Sequence, residues 1–253
     1  MSSYVPVSSE LHLDKRWLRH PSFKFAKHEM ITPIFANELV DAIHTLPVAF
    51  VRHEDRFVLV AVMGLRPDEN LLLTENDQWL QGGYVPLSYR TRPFLLLEMP
   101  GNKEQQVLCI EESSLTEGLL GEALFDEDGK ITEGVGEIFK LLTHYNTTRF
   151  LTEDICAALA EHGLIQPWEL TVHNGETQQP LTGLYRIDET ALNAITDEAF
   201  LALRKTAAFP VIYAQLLSMN NMVFLSQLLV NKTKKDSDKT EDKSGGTFSF
   251  AGL

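Results

Sequence analysis

The sequence feature that most constrains the fold is a long stretch without charge near the carboxyl end of the chain. Residues 206–231 begin at Thr206, end at Asn231 and contain no Asp, Glu, Lys or Arg. A helix needs about 20 predominantly apolar residues to cross a bilayer, so length alone would allow a membrane span. However, amide side chains inside the stretch, such as Gln215 and Asn221, would need hydrogen-bond partners in lipid. We therefore predict a helix in a core or an interface, and no membrane span.

Composition and charge restrict the class of protein. The chain has 253 residues, a net charge of −13 and a pI near 5.0, which disfavours a nucleic-acid partner because phosphates are neutralised by a basic surface. Cys109 and Cys156 lie in apolar segments, and such thiols are usually small buried hydrophobes. The amino-terminal residues carry neither a basic region nor an apolar run typical of a secretory signal. We predict a cytoplasmic protein, with export by a non-classical route left open.

Hydrophobic periodicity predicts an α+β fold, with an antiparallel sheet in the amino-terminal half and a helical carboxyl-terminal half that contains an added β-hairpin. Residues 34–46 have apolar side chains at helical spacing after a candidate cap at Thr32. Residues 48–63 and 93–110 each predict a hairpin, the second turning through Pro100, Gly101 and Asn102. The later half predicts helices from Thr132 and from Thr152, a hairpin at Asn174-Gly175, and short helices from Asp188 and Thr196.

The domain organisation follows from changes in composition. We predict an irregular arm over residues 1–30 and a single domain over 31–230, with a possible subdomain break near 115–130. Residues 231–246 mix lysines with acids and contain no apolar side chain, which predicts a disordered charged linker. Residues 247–253 form an apolar tag with Phe248 and Phe250. We predict a weakly ordered tail there, with folding back or docking of the tag as the alternative.

Motifs that would specify a reaction are not found in the sequence. His53-Glu54-Asp55 matches part of a two-histidine, one-carboxylate iron site, but among 8 histidines and 35 acids about one such triple is expected by chance. The acidic turn that ends at Gly129 has the wrong register for a calcium loop. We therefore predict no catalytic residues, no metal ligands and no cofactor.

Polar side chains next to predicted helices are the candidate binding residues. Asp188 and Glu189 are adjacent acids after a strand, and the alternative to a paired-acid site is that they stabilise a helix amino terminus. The charge-free stretch carries further polar groups that would either line a ligand pocket or be satisfied within a core or interface. The full candidate set is Tyr185, Arg186, Asp188, Glu189, Tyr213, Gln215 and Ser218.

A family resemblance covers most of residues 1–230. It is carried by residues 183–205 (GLYRIDETALNAITDEAFLALRK) and 211–228 (VIYAQLLSMNNMVFLSQL), with further matches at residues 64–73, 84–94 and 108–114. These segments resemble the bacterial SapC-like family. The charged linker and the phenylalanine tag lie outside the pattern.

The resemblance implies a genetic and cellular setting for the protein, and it implies no particular reaction. The family is linked to a bacterial surface-layer locus, and its relatives are often encoded beside TonB-dependent receptors and flavin-dependent halogenases. It offers no catalytic residues to transfer. We therefore predict a non-enzymatic accessory or binding protein of a surface-layer or TonB-receptor-linked nutrient-uptake system. The alternative is a metal-dependent, non-haem-iron oxygenase-like enzyme or an auxiliary of a flavin-dependent halogenase. A protein partner or a second copy bound through residues 206–231 is also predicted.

Overall fold

The largest sheet of the protein has five antiparallel strands in the order β10-β13-β4-β5-β3, and helices pack against it. The computed structural model describes residues 3–20, 22–99, 102–118, 120–174 and 177–244. The strands are β1 (Tyr4–Pro6), β2 (Arg16–Trp17), β3 (Ile31–Pro33), β4 (Val48–His53), β5 (Arg56–Val62), β6 (Phe94–Met99), β7 (Asn102–Glu111), β8 (Leu115–Thr116), β9 (Glu122–Ala123), β10 (Ile165–Pro167), β11 (Leu170–Asn174), β12 (Thr177–Leu181) and β13 (Leu184–Ile187). The helices are α1 (Ser9–His12), α2 (Leu39–Ala42), α3 (Leu87–Arg90), α4 (Glu133–Glu161), α5 (Glu189–Asn193), α6 (Asp197–Lys205), α7 (Ala208–Ser218) and α8 (Asn221–Ser244).

The predicted α+β class is confirmed, with antiparallel sheets in the amino-terminal half and helices in the carboxyl-terminal half. The hairpins β4–β5, β6–β7 and β11–β12 form where the sequence predicts them. Pro180 lies in β12, a strand of a two-stranded sheet, where its missing N–H is tolerated. The turn residues Pro100, Gly101 and Gly175 lie outside the described residues.

The main core and a smaller core divide the molecule. The main core surrounds β4, β5, α4 and α7, and the smaller core contains Trp17, Phe94, Ile110, Leu124, Phe125, Val135 and Leu142. Helix α4 contributes Val135 to the smaller core and Leu159 to the main core. The two cores are therefore joined through one helix, which begins just after the predicted break near 115–130.

The amino-terminal arm is more regular than predicted. Strand β1 pairs with β7, and β2 lies between β8 and β9 in a three-stranded sheet. Trp17 is almost fully buried and contacts the Phe94 ring edge-on, with the centroids 4.8 Å apart. Burial of so large an apolar side chain explains why this segment is held against the domain.

Helix boundaries differ from the prediction at Thr32 and Thr152. Thr32 lies in β3 and caps no helix, because Glu38 instead accepts a hydrogen bond from the Phe35 N–H and a 3₁₀ turn begins at Ala36. Thr152 lies inside the 29-residue helix α4, which replaces the two predicted helices.

Thr152 does not interrupt α4 because its hydroxyl donates to the Thr148 carbonyl one turn earlier and accepts from the Ala36 N–H. The predicted end of α4 is confirmed: Gly163 has φ +65°, and its N–H and that of Leu164 donate to the Ala160 and Leu159 carbonyls. This is a Schellman motif.

The charge-free stretch forms two helices, α7 and α8, that meet at Met219 and Asn220. The Asn221 side chain donates to the carbonyls of Ile43 and Leu46, so it satisfies backbone acceptors that follow α2. By length and composition alone, Ala208–Lys235 would suffice to cross a membrane. An 18-residue window within it has a mean hydropathy of 1.3, and 39% of that window is buried within the protein.

Helix α8 continues to Ser244, through most of the predicted disordered linker. The sequence from Asn221 to Ser244 contains no Gly or Pro and has five lysines, which are good helix formers, and this explains the difference. Residues 245–253, which include the predicted tag with Phe248 and Phe250, lie outside the described residues.

Candidate functional site

A groove of about 980 Å³ lies between helix α8 and the loop that joins β5 to α3, residues 63–86. We call it the α8 groove. Its apolar floor is formed by leucines of the loop and of the helix, and its rims carry charges of both signs. The lining residues are Lys27, His28, Asp68, Glu69, Asn70, Leu71, Leu73, Thr74, Glu75, Asp77, Leu80, Leu228, Asn231, Lys232, Lys234 and Lys235.

The helix side of the groove is a single stripe of α8. Leu228, Asn231, Lys232 and Lys235 recur at intervals of three and four residues, so they share one face of the helix. This stripe is about 10 Å long at ~1.5 Å per residue, which equals three residues of extended chain. An extended segment can therefore lie along it.

The loop side is held in place by its own hydrogen bonds. The buried Asn70 side chain donates to the Ala26 carbonyl at 3.1 Å and accepts from the Leu72 N–H at 2.9 Å. The chain doubles back so tightly that a Cβ on Gly64 would stand 1.9 Å from the Glu69 carbonyl oxygen, so only glycine fits there. The groove wall is thus a built part of the fold.

Ion pairs cross and border the groove. Lys232 Nζ lies 2.9 Å from Glu69 Oε1 and links α8 to the loop, with a Glu69 side chain that is only 12% exposed. Lys27 Nζ lies 3.4 Å from Asp77 Oδ1. The second carboxylate oxygen of Glu69, Oε2, is buried and has no hydrogen-bond partner among the described residues. The groove therefore combines an apolar floor with lysines at Lys27 and Lys232 that are neutralised by acids.

The candidate residues of the charge-free stretch separate onto opposite faces of α7. Gln215 and Ser218 are fully buried, whereas Tyr213 is 56% exposed. Gln215 Oε1 accepts from the Ile187 N–H at 3.0 Å, and its Nε2 donates to the Val48 carbonyl at 3.2 Å.

Ser218 completes the same network, because its hydroxyl accepts from the Val48 N–H at 3.0 Å and donates to the Gln215 carbonyl at 2.7 Å. Strands β13 and β4 pair at Leu184 with Val51, and the same register would place Ile187 opposite Val48. The Gln215 amide therefore takes the place of a backbone hydrogen-bonded pair between β13 and β4. The polar groups of Gln215 and Ser218 thus have their hydrogen-bond partners within the core.

The other candidates lie on and after β13. Tyr185 packs edge-on against Phe57, with centroids 5.1 Å apart, and Arg186 pairs with Gln166 in the ladder. Asp188 caps α5 by accepting from the N–H groups of Thr190 and Ala191. Glu189 is exposed in the first turn of that helix, a favourable place for an acid. The seven candidates do not converge on one cavity, and a binding role for them stays a prediction.

Groups that would support catalysis are dispersed in the described part of the chain. No three His, Cys, Asp or Glu side chains are grouped there so as to hold a metal ion. His53, Glu54 and Asp55 lie exposed at the tip of the β4–β5 hairpin. Burial raises the pKa of the Cys156 thiol to about 12, so it is protonated at neutral pH.

The α8 groove was missed by the sequence analysis because its walls are far apart along the chain. The pair Glu69–Lys232 joins residues separated by 163 positions. The sequence feature that could have indicated the groove was the spacing of Leu228, Asn231 and Lys235, which places these residues on one helical face at the end of the charge-free stretch.

Comparison with known proteins identifies the family. No curated protein and no solved structure matches the chain. Residues 7–225 match the profile of the family described as SapC, and this match includes every described element from β2 to α7. The chain therefore belongs to the SapC family.

Proposed function

We propose that the protein is a non-enzymatic binding protein and that the α8 groove takes an extended, apolar segment of polypeptide. The observation that carries this proposal is the combination of a leucine floor with an open groove of about 980 Å³ along one helix face. We place this binding in the surface-layer or TonB-receptor-linked uptake setting that the family resemblance implies.

The charges of the groove favour a polypeptide over a small anion. A phosphate or carboxylate ligand would need an excess of cations, but the four lysines of the lining are matched by four acids, Asp68, Glu69, Glu75 and Asp77. The floor of Leu71, Leu73, Leu80 and Leu228 gains most from apolar side chains. An extended segment supplies such side chains on one face.

An extended segment brings backbone groups as well as alternate side chains to a binding surface. Main-chain bonding combined with apolar pockets is a common mode of peptide recognition.

A peptide-display experiment tests the proposal. Random heptapeptides displayed on phage are selected on the purified full chain, and the enriched peptides are synthesised and measured by fluorescence anisotropy. We expect enriched peptides with apolar side chains at alternate positions. Asn231→Trp, which places a large ring at an exposed groove position, should weaken their binding at least tenfold.

The matched control is Val230→Trp, because Val230 is the exposed neighbour of Asn231 and does not line the groove. This variant should bind the peptides within twofold of the unmodified protein. Absence of enriched peptides, or equal loss of binding in both variants, would contradict a binding groove. The enzyme alternative stays a prediction that no observation among the described residues favours.

A further inference from the structure

The chain itself carries a segment with the chemistry that the α8 groove fits. Helix α8 forms one wall of the groove and continues to Ser244, and residues 245–253 follow directly. Within them, residues 247–253 have no charge and present Phe248, Phe250 and Leu253. We propose that residues 247–253 occupy the α8 groove of their own chain. This inference rests on the proposed binding function of the groove.

The lengths of helix and tail agree with this occupant. At ~1.5 Å per residue, Ser244 lies about 14 Å along the helix from Lys235 and about 24 Å from Leu228. At ~3.4 Å per extended residue, Phe250 reaches up to about 20 Å from Ser244 and Leu253 up to about 30 Å. Once the chain reverses its direction, Phe250 can therefore reach the part of the wall near Lys235, and Leu253 can reach its far end at Leu228.

The residues that must make the reversal are suited to it. Gly245 and Gly246 come immediately after Ser244, the last helical residue. Glycine adopts positive φ without steric cost and is the usual residue just past a helix end. The sequence thus has a reversal signal between a helix that lines the groove and an apolar segment that matches its floor.

The exposed apolar face on the far side of α7 is a poorer site for this segment. It includes Leu217 and Val223. Val223 is about 32 Å from Ser244 along α8, at ~1.5 Å per residue, which exceeds even the ~30 Å reach of Leu253. The groove lies nearer to Ser244 along the same helix.

Disulfide trapping in the full chain tests the occupant. One variant combines Ala251→Cys with Asn231→Cys in the groove, and its control combines Ala251→Cys with Val230→Cys outside the groove. Both helix positions are about 20 Å from Ser244, within the ~24 Å reach of residue 251. Cys109 and Cys156 are buried, so they should react slowly.

We expect the Asn231→Cys pair to form an intramolecular disulfide at least tenfold faster than the Val230→Cys pair under mild oxidation, measured on non-reducing gels and by mass spectrometry. Equal rates would show a tail without a preferred site and would overturn the proposal. A disulfide-linked dimer as the main product would also overturn it, because the occupant would then be the tail of a second copy.

A second full-length variant separates this inference from the proposed function. Phe248→Ser/Phe250→Ser should raise the apparent affinity of the selected heptapeptides at least fivefold, since an occupied groove binds other ligands only in its open fraction. The control Ser249→Ala should leave affinity unchanged. Peptide binding that is unaffected by the phenylalanine changes would refute the tail as occupant while leaving the binding groove intact. If no peptide binds any variant, the proposed function fails, and the disulfide rates alone decide the inference.

Discussion

The two sides of residues 206–231 each carry side chains whose polarity does not match their exposure. On the side that faces the sheet, Gln215 and Ser218 have no exposed surface. On the solvent side, Leu217 is 66% exposed and Val223 is 62% exposed. The absence of charge in this stretch therefore does not indicate a uniformly apolar helix, because some of its polar groups are buried and some of its large apolar groups are exposed.

The comparison shows how a buried polar group can be required by the backbone. Strands β13 and β4 pair at Leu184 and Tyr185, but Ile187 and Val48 leave their hydrogen-bonding groups to helix α7. Buried N–H and C=O groups need partners, and an amide side chain can serve one of each at the same time. A helix that crossed a membrane would not need the two hydrogen bonds of the Gln215 amide. Two strands that separate beside a helix do need them, because their buried backbone groups would otherwise have no partner.

The largest expected effect follows from removing that amide. Gln215→Leu keeps a similar side-chain size but leaves the Ile187 N–H and the Val48 carbonyl without the partners described above. We expect the free energy of unfolding to fall by about 3 kcal/mol, because each unsatisfied buried group costs about 1–3 kcal/mol. Urea unfolding followed by circular dichroism measures it.

Gln227→Leu is the matched control, since Gln227 is exposed on α8. It should change the free energy of unfolding by less than about 0.5 kcal/mol. If Gln215→Leu and Gln227→Leu changed the free energy of unfolding by similar, small amounts, the Gln215 amide would have no structural role. The sheet-facing and solvent-facing sides would then not differ in the way proposed.

A smaller effect is expected at the neighbouring serine. Ser218→Ala removes the acceptor of the Val48 N–H, so the free energy of unfolding should fall by about 2 kcal/mol. Ser226→Ala removes an exposed hydroxyl that bonds only to its own helix, at the Met222 carbonyl, and should cost less than about 0.5 kcal/mol. Equal costs at the two serines, measured in the same urea titration, would argue against the network.

A buried group that ionises extends the comparison to pH. Burial raises the pKa of Glu38, while hydrogen bonds from the N–H groups of Leu87 and Phe35 and from the Tyr84 hydroxyl act to lower it. The folded state thus holds the proton more tightly than the unfolded state. The contribution of Glu38 to stability should be fully present below its unfolded pKa and lost as pH rises through the folded pKa. The Gln215 amide, which does not titrate, should show no such dependence.

Unfolding titrations between about pH 4 and pH 8 check this sign, with Glu38→Gln as the comparison. The stability difference, unmodified protein minus Glu38→Gln, should become less favourable as pH rises. Glu198 provides the opposite sign, because the N–H and hydroxyl groups at the start of α6 lower its pKa. For Glu198→Gln the difference should become less favourable as pH falls. If the stability difference changed with pH in the same direction for Glu38→Gln and Glu198→Gln, the opposite pKa shifts assigned to Glu38 and Glu198 would be contradicted.

Local chemistry made part of this fold predictable. The β4–β5 hairpin follows from a polar turn between two β-rich runs, and Asp188, Thr196 and Gly163 mark helix ends as the sequence indicates. The same rules failed at Thr152, where a hydroxyl that can cap a helix instead bonds inside one. A threonine satisfies either arrangement, so its sequence position alone does not decide between them.

Long-range pairings were beyond prediction. Gln215 bonds to Val48, which is 167 positions away in the sequence, and Lys232 bonds to Glu69, which is 163 positions away. The sequence identified Gln215 as a polar group to be satisfied, but not which strands it joins. It gave no indication of the groove floor, because Leu71 and Leu228 read as ordinary core residues until the loop and α8 are placed together.

The smallest expected effect on stability is on the solvent side. Leu217→Lys should change the free energy of unfolding by less than about 0.5 kcal/mol, because the side chain is already 66% exposed and lysine is a good helix former. Leu225→Ala, at a fully buried position of α8, should cost about 2–5 kcal/mol in the same urea titration.

Light scattering on both variants tests the sequence-based prediction that two copies join through this face: a lysine there should weaken any self-association at least tenfold. A large loss of stability in Leu217→Lys, with no change in mass, would mean that this leucine packs within its own chain and that the two faces are less different than their exposure indicates.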